Sequence, residues 1–240
     1  MLASKMKNMT ENGFEYVDLG LPSGTMWATC NVGATKPEDE GLLFQFGCVD
    51  GYRYDDTNHK FRTNDQNEQD TGNRYMALTT SGKIYKKNEI LDLEDDAAYV
   101  NMGGRWKMPT GRFNSSTRQY EGEWGELIKN TSRAAETING VKGMMFTSNI
   151  NGHQLFIPFI QGYWYNGNWE KNKDGLRASV WSSQVHDSYG NNAYKLYCSS
   201  NDYVNITGHE RTIAFSVRGV FNINEHTNNV EHVNNINMLI

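Results

Sequence analysis

The chain has 240 residues, with 23 lysines and arginines against 28 aspartates and glutamates, a net charge of −5. Surface scaling at that length gives about 11,000 Å² folded against about 40,000 Å² unfolded, so about 70% of the surface can be buried and one large domain holds a core without staples. The 6 Trp, 13 Tyr and 10 Phe exclude a disordered chain, and mild acidity without a basic block argues against a nucleic-acid groove. The longest apolar run, Leu155–Ile160 with Pro158 inside it, is too short to cross a bilayer. Cys30, Cys48 and Cys198 are too few for a disulfide scaffold and too scattered for zinc. One bridge and three free thiols both remain open.

Met1–Lys7 has no apolar h-region and no cleavage site, as expected of a cytosolic protein, of a phage structural protein released by lysis, or of a chain whose leader has been removed. Residues 1–15 are expected to form an N-terminal extension, 16–221 the domain, and 222–240 a tail. Phe14–Leu19 alternates and predicts a strand. Leu21-Pro22-Ser23-Gly24 is turn chemistry, and Thr25–Asn31 and Leu42–Phe46 are two further β-rich runs. Residues 49–75 are polar and predict a long loop or insertion.

Asp92 is expected to cap a first helix, with Asp95 at the capping-box position and Leu93, Ala97 and Val100 along one stripe. A second helix is expected over Gly122–Asn130, where Trp124, Leu127 and Ile128 share a face. From Gly140 the pattern is β. Val141–Ile150, Asn151-Gly152 and His153–Ile157 predict a hairpin with a type I′ turn. Ser179–Ser183, Ala193–Ser199, Tyr203–Thr207 and Thr212–Phe221 follow as strands of an antiparallel sheet. The 19-residue tail 222–240 holds seven of the 28 asparagines and lacks periodicity before Met238-Leu239-Ile240. A terminus of this kind is ordered only where it is tied down, so it is expected to dock on a partner.

Phosphate loops, dinucleotide fingerprints, nucleophile elbows and His-Glu-x-x-His are absent from the sequence. His186-Asp187 beside Ser182 and Ser183 has the parts of a triad, but adjacent strand residues point to opposite faces, which argues against a hydrolase. Asp65, Asn67 and Gln69 begin like a calcium loop and lack its glycine and terminal glutamate. No metal or cofactor is expected.

Three segments carry a resemblance. Tyr16–Ala34 (Tyr-Val-Asp-Leu-Gly-Leu-Pro-Ser-Gly-Thr-Met-Trp-Ala-Thr-Cys-Asn-Val-Gly-Ala), Gly103–Thr110 (Gly-Gly-Arg-Trp-Lys-Met-Pro-Thr) with Glu126-Leu127, and Val180–Ser183 with Ala193–Tyr197 and Phe215–Arg218 occur in order. They resemble the opening, central and closing signatures of the Fibrobacter major paralogous domain family, over about Tyr16–Val220. The resemblance implies an α+β, C-type-lectin-like fold: twisted antiparallel sheets, two helices and long loops, as found in surface proteins of gut-type bacteria and their phages. Gly219 departs from the proline that usually follows the arginine, and residues 111–121 look inserted. Trp27, Trp106 and Trp181 are expected in the core. Arg218 is expected to make an ion pair or carbonyl contacts, and Pro109 to set a rigid turn.

Lectin-type calcium binding needs Glu-Pro-Asn or Gln-Pro-Asp, and none of Pro22, Pro37, Pro109 and Pro158 sits in one. The most suggestive stretch is Gln184–Arg211, with His186, Asp187, Tyr189, Asn191, Asn192, Tyr194, Asn201, Tyr203, Asn205 and His209. Tyrosine with short polar residues is the composition of adaptable binding surfaces. Trp164 and Trp169 form a second aromatic cluster that could seat a sugar or a partner. The expectation is a non-enzymatic binding or structural module on a phage particle: a fibre, decoration or receptor-binding component in an oligomeric assembly. Its expected partners are virion proteins, through residues 222–240, or a host glycan or receptor, with no nucleic acid and no membrane insertion. The alternatives are a bacterial cell-surface adhesin whose leader has been removed and, through the related formylglycine-generating enzymes, a copper- or thiol-dependent oxidase.

Overall fold

A computed structural model describes residues 9–53, 79–160 and 175–225, and the backbone of 162–165 and 168–171. The polar loop with Asp65, Asn67 and Gln69, the tail beyond Glu225 and the side chains of Trp164 and Trp169 lie outside the described residues.

The chain enters the fold at β1 (Met9–Glu11), which pairs antiparallel with β2 (Phe14–Asp18). Residues assigned from sequence to an extension are thus part of a sheet. The link is Asn12-Gly13 with φ of 48° and 83°, the positive pair that a two-residue type I′ turn needs. Glu11 anchors the hairpin: its carboxylate accepts from Arg105 Nε and Nη2 at 3.2 and 2.8 Å, and its carbonyl from Trp106 Nε1 at 2.9 Å. Next come β3 (Thr25–Asn31) and β4 (Leu43–Gln45).

The first helix differs from the expectation. Asp92 pairs with Lys83 at 2.5 Å rather than capping, a 3-10 turn covers Leu93–Asp95, and α1 (Ala97–Met102) is capped by Asp96, which accepts from Tyr99 N at 2.9 Å. Buried Asp95 fixes this frame by accepting from Ser81 N and Oγ and from Tyr85 Oη. Ala97, Ala98 and Met102 are buried, while Leu93 and Val100 stay exposed.

A small hairpin follows, β5 (Arg112–Asn114) and β6 (Gln119–Glu121), then α2 (Gly122–Asn130) at its expected bounds, burying Trp124 and Leu127. A strand that apolar alternation does not announce comes next. β7 (Thr131–Ile138) is exposed at most positions and joins β8 (Val141–Ser148) through Asn139-Gly140, with φ of 48° and 86°. β8 pairs with β9 (Gln154–Pro158) as expected, but across Asn149–His153. Asn151 is not in the left-handed region there, and its Nδ2 donates to Asp18 O.

The remaining strands are β10 (Gly162–Tyr165), β11 (Asn168–Lys171), β12 (Arg177–Val185), β13 (Asn192–Ser199), β14 (Tyr203–Glu210), β15 (Ala214–Ser216) and β16 (Arg218–Asn222). The sheets run β1-β2-β3-β16, β7-β8-β9, β5-β6, and β11-β10-β15-β12-β13-β14 with β4 on β15. Pairing is antiparallel except between β12 and β15. With two α-helices among the described residues, the class is α+β.

Two cores result from strand alternation. On β12 and β13, Trp181, Val185 and Ala193 face a core with Phe46, Trp106, Phe215 and Phe221, while Val180, Tyr194, Leu196 and Cys198 face one with Trp27, Trp124, Leu127 and Phe146. The three signature tryptophans are fully buried. Trp181 Nε1 donates to Phe44 O at 2.8 Å, whereas Trp27 Nε1 has no partner and its ring packs on Trp124 at 4.7 Å. Arg218 reaches carbonyls, as one of its two expected arrangements required: Nη1 donates to Ala28 O and Nη2 to Phe156 O, at 2.9 and 3.0 Å. Gly219 is glycine for a packing reason, because a Cβ there would lie 2.7 Å from Met102 Sδ and 2.9 Å from Trp106 Cε3.

Candidate functional site

The ladder between β12 and β13 shifts register between Trp181 and Val185. There β12 turns to other partners: Ser183 N donates to Pro109 O, Leu91 N to Ser183 O, and Val185 N to Glu89 O. The chain then leaves the sheet and returns within six residues, closed by His186 N to Asn192 O and Asn192 N to Tyr189 O. This loop, β14 and the β5–β6 hairpin enclose a cleft of about 400 Å³.

His186 forms one wall. Its ring stacks on Tyr194 with centroids 4.4 Å apart and meets Tyr189 at 5.4 Å. It also lies over Gly208, directly across from Tyr194, where an added Cβ would be 2.9 Å from Nε2. Nδ1 accepts from the N–H groups of Ser188 and Tyr189 at 3.1 and 3.3 Å. Asp187 Oδ1 is 3.3 Å from the same nitrogen, a distance that would suit an ion pair. The two backbone donors decide against it: a nitrogen that accepts from them carries no proton, so the imidazole is neutral with its hydrogen on Nε2. Burial supports this by pushing His186 below its ordinary value, with Asp187 pulling the other way and Lys87 adding to the push.

Asp187 lies at the same end. Burial would raise its carboxyl, but hydrogen bonds from Ser188 and Tyr194 outweigh it and hold the group below the usual carboxylate range. Tyr194, in turn, is pushed up to about 12 by burial and by that bond. The sequence argument that His186 and Asp187 must diverge is therefore corrected: both lie beyond the last strand residue, Val185, where alternation has ended. They still do not form a triad. Ser182 Oγ accepts from Gln184 N, Ser183 Oγ donates to Pro109 O, and both serines are buried.

The facing wall is Phe113 and Tyr120, cross-strand neighbours on β5 and β6 with rings 5.4 Å apart. Tyr120 Oη donates to Asn205 Oδ1 at 2.8 Å, and Asn205 Nδ2 donates to Tyr203 Oη at 2.9 Å, so the edge strand β14 joins the hairpin to exposed Tyr203.

Of the twelve residues singled out from sequence, His186, Asp187, Tyr194 and Asn205 line the cleft, and Tyr189 and Tyr203 border it through the contacts above. Asn191 and Asn192 act through their backbones, holding Arg211 N and His186 N. Asn201 sits in the distant β13–β14 turn, accepting from Ser199 Oγ. His209 is not on this surface. It lies across from Ala193 on the other face, edge-on to Phe215 at 5.3 Å, where burial and Lys195 push it down to about 4. Trp164 and Trp169 pair with each other at the far edge of the sheet, separated from β13 and β14 by β15 and β12. The strands that carry the two clusters are not neighbours in the sheet.

Phe113 and Tyr120 fall in residues 111–121, which in sequence look like an insertion. The signal was present: Arg-Phe-Asn and Gln-Tyr-Glu are matched polar–aromatic–polar triplets around a Ser-Ser-Thr turn. Cys30, Cys48 and Cys198 are all unbridged. Among the described residues no three His, Cys, Asp or Glu side chains converge. Compared with protein-family models, curated proteins and solved structures, the chain matches none of them.

Proposed function

We propose that this chain is a non-enzymatic binding module of C-type-lectin-like fold, carried on a phage particle as a fibre, decoration or receptor-binding component. One observation carries the binding reading. Four of the residues chosen for their recognition chemistry converge in a cleft, and the hairpin that departs from the resembling family supplies its opposite wall. Rigid tyrosines beside short polar side chains give contact area and adaptable hydrogen bonds at low entropic cost. Mostly antiparallel sheets with two helices are what the C-type-lectin-like reading needs.

The test has two parts. Gold-labelled antibody against the purified chain is expected to decorate phage particles in the producing culture; label on the bacterial envelope alone would replace the virion with an adhesin. Labelled protein is expected to adsorb saturably to host cells or to particles, with Tyr120→Ala weakening adsorption at least tenfold. Adsorption that is indifferent to this change would remove the cleft from the interface.

A further inference from the structure

We propose that the cleft receives a cation, the ammonium of a lysine or the guanidinium of an arginine on a partner protein, which sits against Asp187 between the aromatic walls. The inference deepens the binding-module reading and rests on it.

Charge is the first argument. Asp187 is held below the usual carboxylate range, and among the described residues it makes no ion pair with a lysine or arginine. Ser188 and Tyr194 offer neutral hydroxyls, and His186 is neutral because its Nδ1 accepts two backbone N–H groups. Two cations lie near the loop: Lys87, whose charge is felt at His186 and whose Cγ would be 3.7 Å from a Cβ on Gly190, and Arg112, whose charge is felt at Tyr194 and whose Nε is bound to Glu121 at 2.6 Å. Neither of them pairs with Asp187, so among the described residues the carboxylate has no lysine or arginine in direct contact. An opposite charge from outside would complement such a partly exposed carboxylate, chiefly by orienting and steering its partner.

Ring geometry is the second argument. Phe113 and Tyr120 stand on one side and the His186–Tyr194 stack on the other. Aromatic faces attract a cation through their quadrupole, and carboxylate plus rings is the combination that holds ammonium and guanidinium groups. A neutral sugar would also stack on these rings, but it would leave the carboxylate's charge unmatched. Exposed Tyr189 and Tyr203, at 63% and 49%, extend the rim into a surface on which a polypeptide can lie, which favours a side chain of a protein over a free amine.

The experiment uses the full chain and NMR of the tyrosine and histidine rings. The probes are N-acetyl-lysine amide, N-acetyl-arginine amide, the same lysine amide acetylated on Nζ, tetramethylammonium, and galactose and glucose. The lysine and arginine amides are expected to shift the His186 and Tyr194 signals, more weakly as salt rises from 20 to 200 mM, and the Nζ-acetylated probe is expected to bind at least tenfold more weakly. Asp187→Asn is expected to lose the same tenfold and Asp187→Glu to recover part of it. Galactose or glucose binding more tightly than the cations, or cation binding unchanged in Asp187→Asn, overturns the proposal. The comparison of charged with acetylated lysine needs no variant, so it decides even where a substitution disturbs the loop. A display library of random nonapeptides separates this inference from its foundation. Peptides selected on the wild type and lost on Tyr120→Ala, with lysine or arginine at a fixed position, support both. Tyr120-dependent peptides without basic enrichment sink the cation alone, and selection without Tyr120 dependence sinks the cleft.

Discussion

Gly208 leaves the space into which the His186 imidazole folds, and that ring holds two loop amides. The small side chain thus sets the shape of one cleft wall from a neighbouring strand. Replacing Gly208 with alanine forces a methyl into the ring. Overpacking of this kind costs about 1–3 kcal/mol, and the cheapest relief is for the ring to leave. The Ser188 and Tyr189 amides then exchange with deuterium at least tenfold faster, while amides of β3 and β16 do not change. Equal protection in both proteins would show that His186 does not hold the loop. Lys195 makes a second case at this scale. It is buried without a carboxylate partner, donates to Ser179 Oγ at 2.7 Å and lies 4.3 Å over Phe215. Burial pushes it down to about 7, Arg177 adds to the push, and Cys198 opposes it. The folded state therefore holds fewer protons than the unfolded chain between about pH 7 and the ordinary lysine value. Stability from this group rises with pH across that window and is lowest, and flat, below it, a difference on the order of 5 kcal/mol. Lys195→Met removes the dependence and leaves Ser179 short of one bond, worth about 1 kcal/mol. Urea midpoints are expected to be higher for the variant at pH 7, with the gap closing toward pH 10. A variant weaker than wild type at pH 7 would overturn this account.

At the scale of elements, capping decides where α1 begins. Asp96 accepts from Tyr99 N and from Met108 N at 2.9 and 2.8 Å, so one carboxylate starts the helix and ties it to the strand-like segment before Pro109. Burial raises it to about 6, with those backbone bonds pulling downward. Between the ordinary aspartate value and 6 the folded state holds the extra proton, so this group's contribution to stability increases as pH falls through about 6. Asp96→Asn cannot titrate. Its deficit against wild type is expected to be about 1–2 kcal/mol wider at pH 5 than at pH 8 in urea unfolding; a deficit independent of pH would place the titration elsewhere. The same helix shows what a sequence can and cannot disclose. Two aspartates, Asp92 and Asp96, both precede apolar residues, and the choice between them rests on Ser81 and Tyr85 binding Asp95, contacts 14 and 10 residues away. α2 was legible because Trp124 and Leu127 recur at helical spacing beside a partly buried Ile128. β7 was not, because a strand exposed on most positions has no apolar alternation, and its Asn139-Gly140 turn was the only local sign. Within the site, residues 186–194 were legible as chemistry, while the partnership with Phe113 and Tyr120 depends on β14 meeting a hairpin about 85 positions earlier.

Across the whole molecule, the sheets are held together by side chains that cross between them, and Arg218 is the clearest. Its guanidinium is fully buried, binds Ala28 O on β3 and Phe156 O on β9, and so joins the four-stranded and three-stranded sheets from β16. No carboxylate offsets its charge among the bonds it makes, and burial lowers it to about 10, against a smaller opposing pull from Cys30. Desolvation argues that a neutral residue should be tolerated here. The carbonyls argue otherwise: Arg218→Met leaves two buried acceptors without donors, at about 1–3 kcal/mol each. Methionine's apolar packing recovers part of that, so the loss is expected to be about 2–4 kcal/mol. Arg218→Lys can satisfy one carbonyl at most and should lie between methionine and wild type. Denaturation followed at two probes tests the stapling as well as the energy. Tryptophan fluorescence, dominated by the cores on both sides, and amide exchange of β8 and β9 should move together if the sheets unfold as one unit. In Arg218→Met the β8 and β9 amides are expected to open at a lower free energy than those of β12 and β13. Should all four strands keep a common opening free energy in the variant, the guanidinium contributes stability but does not join the sheets.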